Sequence, residues 1–207
     1  MNDKVHQLLR KYFIMGSQDC PRDPRVILAE AAEAGITAFQ FREKGKGSLE
    51  GDEKRALGKE LQHICRSHHI PFIVNDDLHL ANELDADGIH IGQNDKPAEE
   101  VRRLFPDKLI GLSLSNEEEL STSPLSFVDY IGAGPVFSTS TKSDAKRPVG
   151  TEWISTLREK HPAMPIVGIG GISPANASSV IKAGADGVSV ISAITRADNI
   201  ASVVDCL

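Results

Sequence analysis

Short apolar runs rich in β-branched residues alternate along the chain with longer stretches in which apolar positions recur at helical spacing. The runs fall at residues 12–15, 38–41, 72–74, 88–91, 109–112, 130–133, 166–169 and 187–191. Residues 25–34, 52–67, 96–105 and 174–183 are examples of the intervening pattern, that of a helix with one buried face. Ser173 followed by Pro174 predicts a helix cap with proline at the first helical position. No Pro/Gly/Ser-rich linker breaks the rhythm, so residues 1–207 are expected to form one domain of repeated βα units. An open, doubly wound sheet would show the same alternation, but eight runs is the number a closed parallel barrel needs. The expected fold is therefore α/β, a single-domain (β/α)8 TIM barrel. Ala86-Asp87-Gly88-Ile89 and Ala185-Asp186-Gly187-Val188 repeat one pattern, read as a helix-to-strand turn used twice. The last helix is short, which predicts weak closure of the barrel at that point.

With 207 residues, 40% of them hydrophobic, the chain can bury a sizeable core. Its formal net charge of -6 leaves no basic field to draw it onto nucleic acid or an anionic membrane. Anions must then be met by a few placed cations. Cys20, Cys65 and Cys206 have neither paired nor metal-like spacing, the chain starts with charged residues, and no apolar run approaches a membrane span of about 20 residues. These features predict a cytoplasmic protein whose thiols are buried as small hydrophobes. They leave homo-oligomerisation open.

In a parallel barrel the chemistry sits at the carboxyl ends of the strands, so the residues following each run carry the functional reading. The second run leads into Gln40-Phe41-Arg42-Glu43-Lys44, whose alternation puts Gln40, Arg42 and Lys44 on one face and Phe41 and Glu43 on the other. The third ends in Asn75-Asp76-Asp77, which reads either as a turn and helix cap or as a source of carboxylates. The fourth leads into Gly92-Gln93-Asn94-Asp95 and the fifth carries Ser113. Carboxylates from neighbouring strand ends could share a hard cation. After the sixth run, Ser138, Thr139, Ser140, Thr141 and Lys142 form a hydroxyl-rich loop ending in a cation, suited to an oxyanion. Gly168-Ile169-Gly170-Gly171 after the seventh and Ile191-Ser192 after the eighth lie where barrels commonly bind phosphate through backbone N–H groups.

The histidines give no metal or triad pattern. His68-His69 falls at a helix end, and His90, alone in an apolar strand, reads as structural. No nucleophile elbow, Walker loop or dinucleotide fingerprint is present.

The segments Gln-x-Arg-Glu-Lys, Val-Asn-Asp, Ala-Asp-Gly-x-His-x-Gly-Gln-x-Asp, Gly-Pro-x-Phe-x-Thr-x-Thr-Lys and Ile-Gly-Gly-Ile resemble, in order, those of the thiamine-phosphate synthase family, from about Tyr12 to Ala193. The resemblance implies a (β/α)8 barrel that joins an aminopyrimidine methyl pyrophosphate to a thiazole phosphate, with Mg²⁺, releasing thiamine phosphate and pyrophosphate. By motif, it implies that Gln40 meets the pyrimidine and that Arg42, Lys44, Asn75 and Lys142 hold the pyrophosphate. Phe41 and Glu43 fall within the same substrate-binding segment. Asp76 and Asp95 would be the metal ligands, and Ser113 would lie beside the reacting groups. Thr139, Ser140, Thr141, Gly171, Ile191 and Ser192 would receive the thiazole phosphate. Arg42, Lys44, Lys142 and Ser113 are the implied catalytic residues.

The chain departs from the family pattern twice: Ser115 stands where His is usual and Ser138 where Pro is common. A thiazole tautomerase of the same superfamily, and a non-catalytic barrel that binds a phosphorylated precursor, are the rival readings. Retention of Asp76, Asp95, Arg42, Lys44 and Lys142 counts against both.

Overall fold

The computed structural model describes residues 2–139, 141 and 146–207. Helix α1 (Asn2–Leu8) precedes β1 (Lys11–Met15) and α2 (Pro24–Glu33), then β2 (Ala38–Phe41) and α3 (Gly51–Ser67). β3 (Phe72–Asn75), α4 (Leu78–Glu83), β4 (Gly88–Ile91), α5 (Ala98–Leu104), β5 (Leu109–Leu114) and α6 (Glu117–Thr122) follow. β6 (Tyr130–Ala133), α7 (Glu152–Lys160), β7 (Ile166–Ile169), α8 (Ala177–Lys182), β8 (Gly187–Val190), α9 (Ser192–Thr195) and α10 (Ile200–Asp205) complete the chain. All eight strands are parallel and pair in sequence order, with β1 against both β2 and β8. The closed barrel is thus the fold expected from the count of runs.

Closure is complete despite the short last helix: Lys11, Tyr12 and Phe13 of β1 stand in register with Val188, Ser189 and Val190 of β8. The expectation of weak closure fails because strand pairing, not the terminal helix, makes the seam, and α10 packs against α2. The helix expected to start at Pro174 begins instead at Ala177. Asn176 folds back to accept the Ser173 N–H at 2.9 Å and to donate to Gly171 O at 3.0 Å, so a turn fills the intervening residues.

Alternation along the strands divides the apolar residues into two cores. One fills the barrel with Tyr12, Ile14, Ala38, Ile73, Tyr130 and Val167, and Val5 and Leu9 from the α1 end of the chain pack into it. The other lies between barrel and helices, where Phe13, Phe39, Phe72 and Phe41 form a chain of tilted aromatic contacts.

The Asp-Gly pattern seen twice in the sequence belongs to a device used four times. At the amino-terminal end of the barrel, the residue just before each even-numbered strand pins the first turn of the strand before it. Thr37 Oγ1 accepts the Lys11 N–H at 2.9 Å, Asp87 the Phe72 N–H at 2.8 Å, Asp129 the Ile110 N–H at 2.8 Å and Asp186 the Ile166 N–H at 2.7 Å. Arg102 and Arg158 bind Asp129 and Asp186 at 2.6 Å each and reach nearby backbone carbonyls as well. These groups satisfy backbone donors that a barrel end would otherwise leave open.

Of the three cysteines, Cys65 is buried as expected, but Cys20 is only partly buried and Cys206 is exposed at the end of α10. Thiol burial is less complete than expected because Cys206 falls on the solvent side of that helix end. No described helix is long and apolar enough to cross a membrane.

Candidate active site

A cavity of about 590 Å³ opens at the carboxyl ends of the strands, a size that can hold two small ring systems. Arg42, Lys44, Asn75, Asp76, Asp95 and Ser113 line one side of it. Ser138, Thr139, Thr141, Gly171, Ile191 and Ser192 line the other. The structure therefore gathers into one cleft most of the residues singled out from the sequence. Ser140 and Lys142 lie outside the described residues.

Three of the singled-out residues do not line the cleft. Phe41 is fully buried in the outer core, against Phe72 and the α3 backbone at Gly58. The Glu43 carboxylate is held by the backbone N–H groups of Ser17 and Leu49, at 2.8 and 2.7 Å, so it organises the loops around β1 and β2. Strand alternation, which separates these two from Gln40, Arg42 and Lys44, accounts for both placements. As side chains, Phe41 and Glu43 are corrected from ligand contacts to supports of the segment that carries Arg42. Gln40 points inward, as the alternation predicts, but at 1% exposure it sits beneath the open cleft, its amide donating to the Tyr12 hydroxyl at 2.8 Å.

The side of the cleft at the ends of β2, β3 and β4 combines cations and carboxylates. Lys44 is ion-paired with Asp76, which adopts a left-handed backbone conformation with φ of 61°. Burial pushes the Asp76 carboxyl above the usual range; hydrogen bonding to Lys44 opposes that shift and neighbouring Asp95 adds to it. Asp95 is oriented by the Gly92 N–H, 2.7 Å from its Oδ2. Asp77 plays the other role foreseen for the Asn-Asp-Asp segment, capping α4 by accepting from Leu80 N at 3.0 Å. Two adjacent carboxylates, partly shielded from water, offer oxygen ligands suited to a hard divalent cation, although no cluster of three or more ligating side chains exists among the described residues.

The opposite rim is built from hydroxyls and tightly turned backbone. Thr141 Oγ1 lies 3.3 Å from Ser192 Oγ, and the Thr141 N–H meets Thr139 Oγ1 at 3.3 Å. Gly170 and Gly171 both have positive φ, 97° and 63°. A side chain at Gly171 would fall 2.5 Å from the Ser138 carbonyl, so glycine here serves the close approach of the loops after β6 and β7.

Several lining residues were not singled out from the sequence. His90, read as a structural ring, reaches the cleft and contacts Ser113 Oγ through Nε2 at 2.9 Å. Ser189 also lines the cleft, and its hydroxyl is buried without a hydrogen-bond partner. Arg196 and Lys146 add positive charge at the rim, Lys146 paired with Glu119. The available sequence signal for His90 was its position in the Asp-Gly-x-His-x-Gly-Gln segment. For Arg196 there was none, since it follows a four-residue helix rather than a strand.

The fold and cleft define a (β/α)8-barrel enzyme whose strand ends are equipped for anionic ligands. The family model for thiamine monophosphate synthase matches residues 11–194. The chain is 62% identical over 200 residues to the thiamine-phosphate synthase of Oceanobacillus iheyensis, covering 97% of each chain. It matches the solved structure of thiamine phosphate pyrophosphorylase from Pyrococcus furiosus with a TM-score of 0.86 and 32% identity, over 98% of this chain and 95% of that one. Phosphoribosyl anthranilate isomerase from Thermotoga maritima, at 14% identity and a TM-score of 0.67 over 96% of each chain, shares the fold alone. The chain belongs to the thiamine monophosphate synthase family.

Proposed function

We propose that the protein joins an aminopyrimidine methyl pyrophosphate to a thiazole phosphate, giving thiamine phosphate and pyrophosphate, at the carboxyl end of the barrel and in the cytoplasm. The observation that supports this reading is the composition of the cleft lining: cations and a carboxylate pair at the ends of β2 to β4, hydroxyls and glycine-rich backbone after β6 to β8.

In this reading Arg42, Lys44, Asn75 and Lys142 bind the pyrophosphate, and Gln40 and Ser113 face the pyrimidine from below. Thr139, Ser140, Thr141, Gly171, Ile191 and Ser192 take the thiazole phosphate. Asp76 and Asp95 would hold Mg²⁺, which supplies charge neutralisation for the pyrophosphate when bound. The pyrimidine amino group donates electrons as the carbon–oxygen bond to pyrophosphate breaks, leaving a benzylic-type cation. The thiazole nitrogen then gives its lone pair to that carbon, forming the new carbon–nitrogen bond. The protein's part is to place cations where the departing charge develops, to hold the thiazole nitrogen near the carbon, and to keep water away. No nucleophile or general base is needed in such a scheme.

Serine at position 115, where histidine is usual, would by itself argue against a proton-transferring tautomerase. His90, close to Ser113, removes that particular objection, since a ring able to move protons is in the cleft after all. The synthase reading rests instead on the paired carboxylates and cations, which an isomerase of a single phosphate would not require. Formation of thiamine phosphate from the two substrates and Mg²⁺ tests it.

A further inference from the structure

A continuous line of buried polar groups crosses the barrel beneath the cleft. Gln40 Nε2 donates to Tyr12 Oη at 2.8 Å, Tyr12 Oη lies 2.9 Å from Tyr130 Oη, Tyr130 Oη 3.0 Å from His90 Nδ1, and His90 Nε2 2.9 Å from Ser113 Oγ. The groups come from β2, β1, β6, β4 and β5, so five strands contribute. Room for the line is made by glycine. A side chain at Gly111 would lie 2.1 Å from the Tyr130 ring and 2.5 Å from His90 Nδ1, and one at Gly132 would lie 3.0 Å from His90 Cε1.

The chemistry of the members fixes the direction of the chain. Tyr12 and Tyr130 are fully buried, and burial raises both phenols far above their ordinary pKa, so each keeps its single proton. Gln40 spends an amide proton on the Tyr12 oxygen. Among the described residues, Tyr12 then has Tyr130 as the acceptor for its own proton. Tyr130, having accepted, donates to His90 Nδ1. A neutral His90 ring then carries its proton on Nε2, and that proton occupies a lone pair of Ser113 Oγ. With the Gln40 amide nitrogen facing Tyr12, the opposite direction would leave the Tyr12 hydroxyl proton buried without an acceptor, which is costly. With one lone pair engaged, the Ser113 hydroxyl proton is free to point into the cleft.

We infer that Tyr12, Tyr130 and His90 are positioning residues that hold the Ser113 hydroxyl as a hydrogen-bond donor toward an acceptor atom of the bound substrate. The identity of that substrate rests on the reaction proposed above, whereas the direction of the relay does not. Preorganisation of this kind favours a substrate presenting an acceptor at that point and disfavours one presenting a donor.

Two measurements test the inference. In the ligand-free protein, ¹⁵N NMR of the histidine rings, with the His90 signals identified by their loss in His90→Asn, should show Nε2 protonated and Nδ1 bare. A ring protonated on Nδ1, or one averaging between tautomers, would overturn the assignment, whatever the enzyme's activity. In Tyr130→Phe, which keeps the aromatic ring, the His90 tautomer should lose its bias and kcat/KM for the pyrimidine pyrophosphate should fall about 3- to 10-fold, while KM for the thiazole phosphate stays unchanged. In a Ser113→Ala background the same change should have no further effect on kcat/KM. Independent, additive losses would show that Tyr130 does not act through Ser113. If the native ring is protonated on Nε2 but no thiamine phosphate forms, the relay stands and the proposed reaction fails.

Discussion

Lys44 and Asp76 form an ion pair that bridges the ends of β2 and β3, and the same carboxylate stands beside Asp95. The pair holds cation and anion at the place where the proposed reaction needs both, one for the pyrophosphate and the other for the metal. When the two ligands arrive, Lys44 can exchange Asp76 for a phosphate oxygen without leaving either charge bare.

Asp76→Asn is expected to lower kcat by about 10²-fold or more, because it removes a metal ligand and leaves Lys44 unpaired. The fold should persist, since residues at this end of a barrel serve function more than stability. Turnover at saturating substrates, beside a circular dichroism melt, checks both halves. Metal-independent activity in the variant would remove Asp76 from the ligand set.

Mg²⁺ should bind the free protein weakly and tightly only with pyrophosphate present, because two carboxylates leave most of the coordination shell to water and substrate. Calorimetric titration of Mg²⁺ with and without inorganic pyrophosphate gives the comparison. Equal affinity in both would point to a closed protein site.

The loop after β6 should separate into two functions. Thr141, which meets Ser192 across the rim, should on replacement by Ala raise the apparent KM for the thiazole phosphate first. Lys142→Ala should mainly lower kcat, by about 10²- to 10³-fold, as expected for loss of a transition-state donor. Steady-state kinetics with each substrate varied distinguishes them, and identical defects would end the division of this loop into two anion sites.

At the other end of the barrel, Asp186 accepts from Arg158 and from the Ile166 N–H, and it also contacts His6 of α1 at 2.8 Å. Asp186→Ala should therefore cost about 1–3 kcal/mol, lowering Tm by roughly 2–4 °C per kcal/mol, with kcat unchanged below the transition. Loss of activity without loss of stability would contradict a purely architectural role for this end.

The strands were legible because local alternation and apolar runs carry them; four of the eight, β2, β4, β6 and β7, keep the bounds read from the sequence. The same alternation placed Arg42 and Lys44 in the cleft and turned Phe41 and Glu43 away from it. His90 was misread for a reason that local pattern cannot overcome. Its partners depend on barrel register: His90 stands opposite Gly111 of β5, and Gly111 opposite Tyr130 of β6. The space that joins the ring to Tyr130 is the missing side chain of a glycine between them. Glycines inside the fifth and sixth runs were the clue, and their meaning emerges only when three strands are set side by side. The start of α8 was misplaced because Asn176, not Ser173, makes the turn that admits the helix.

The central claim is the coupling of a pyrimidine pyrophosphate with a thiazole phosphate. The most direct measurement is to incubate the protein with both substrates and Mg²⁺ and to follow thiamine phosphate and pyrophosphate together by chromatography. The account predicts the two products in equal amounts and no isomerisation of a thiazole carboxylate phosphate above background. Brisk isomerisation, with no product from the pyrophosphate substrate, would contradict it.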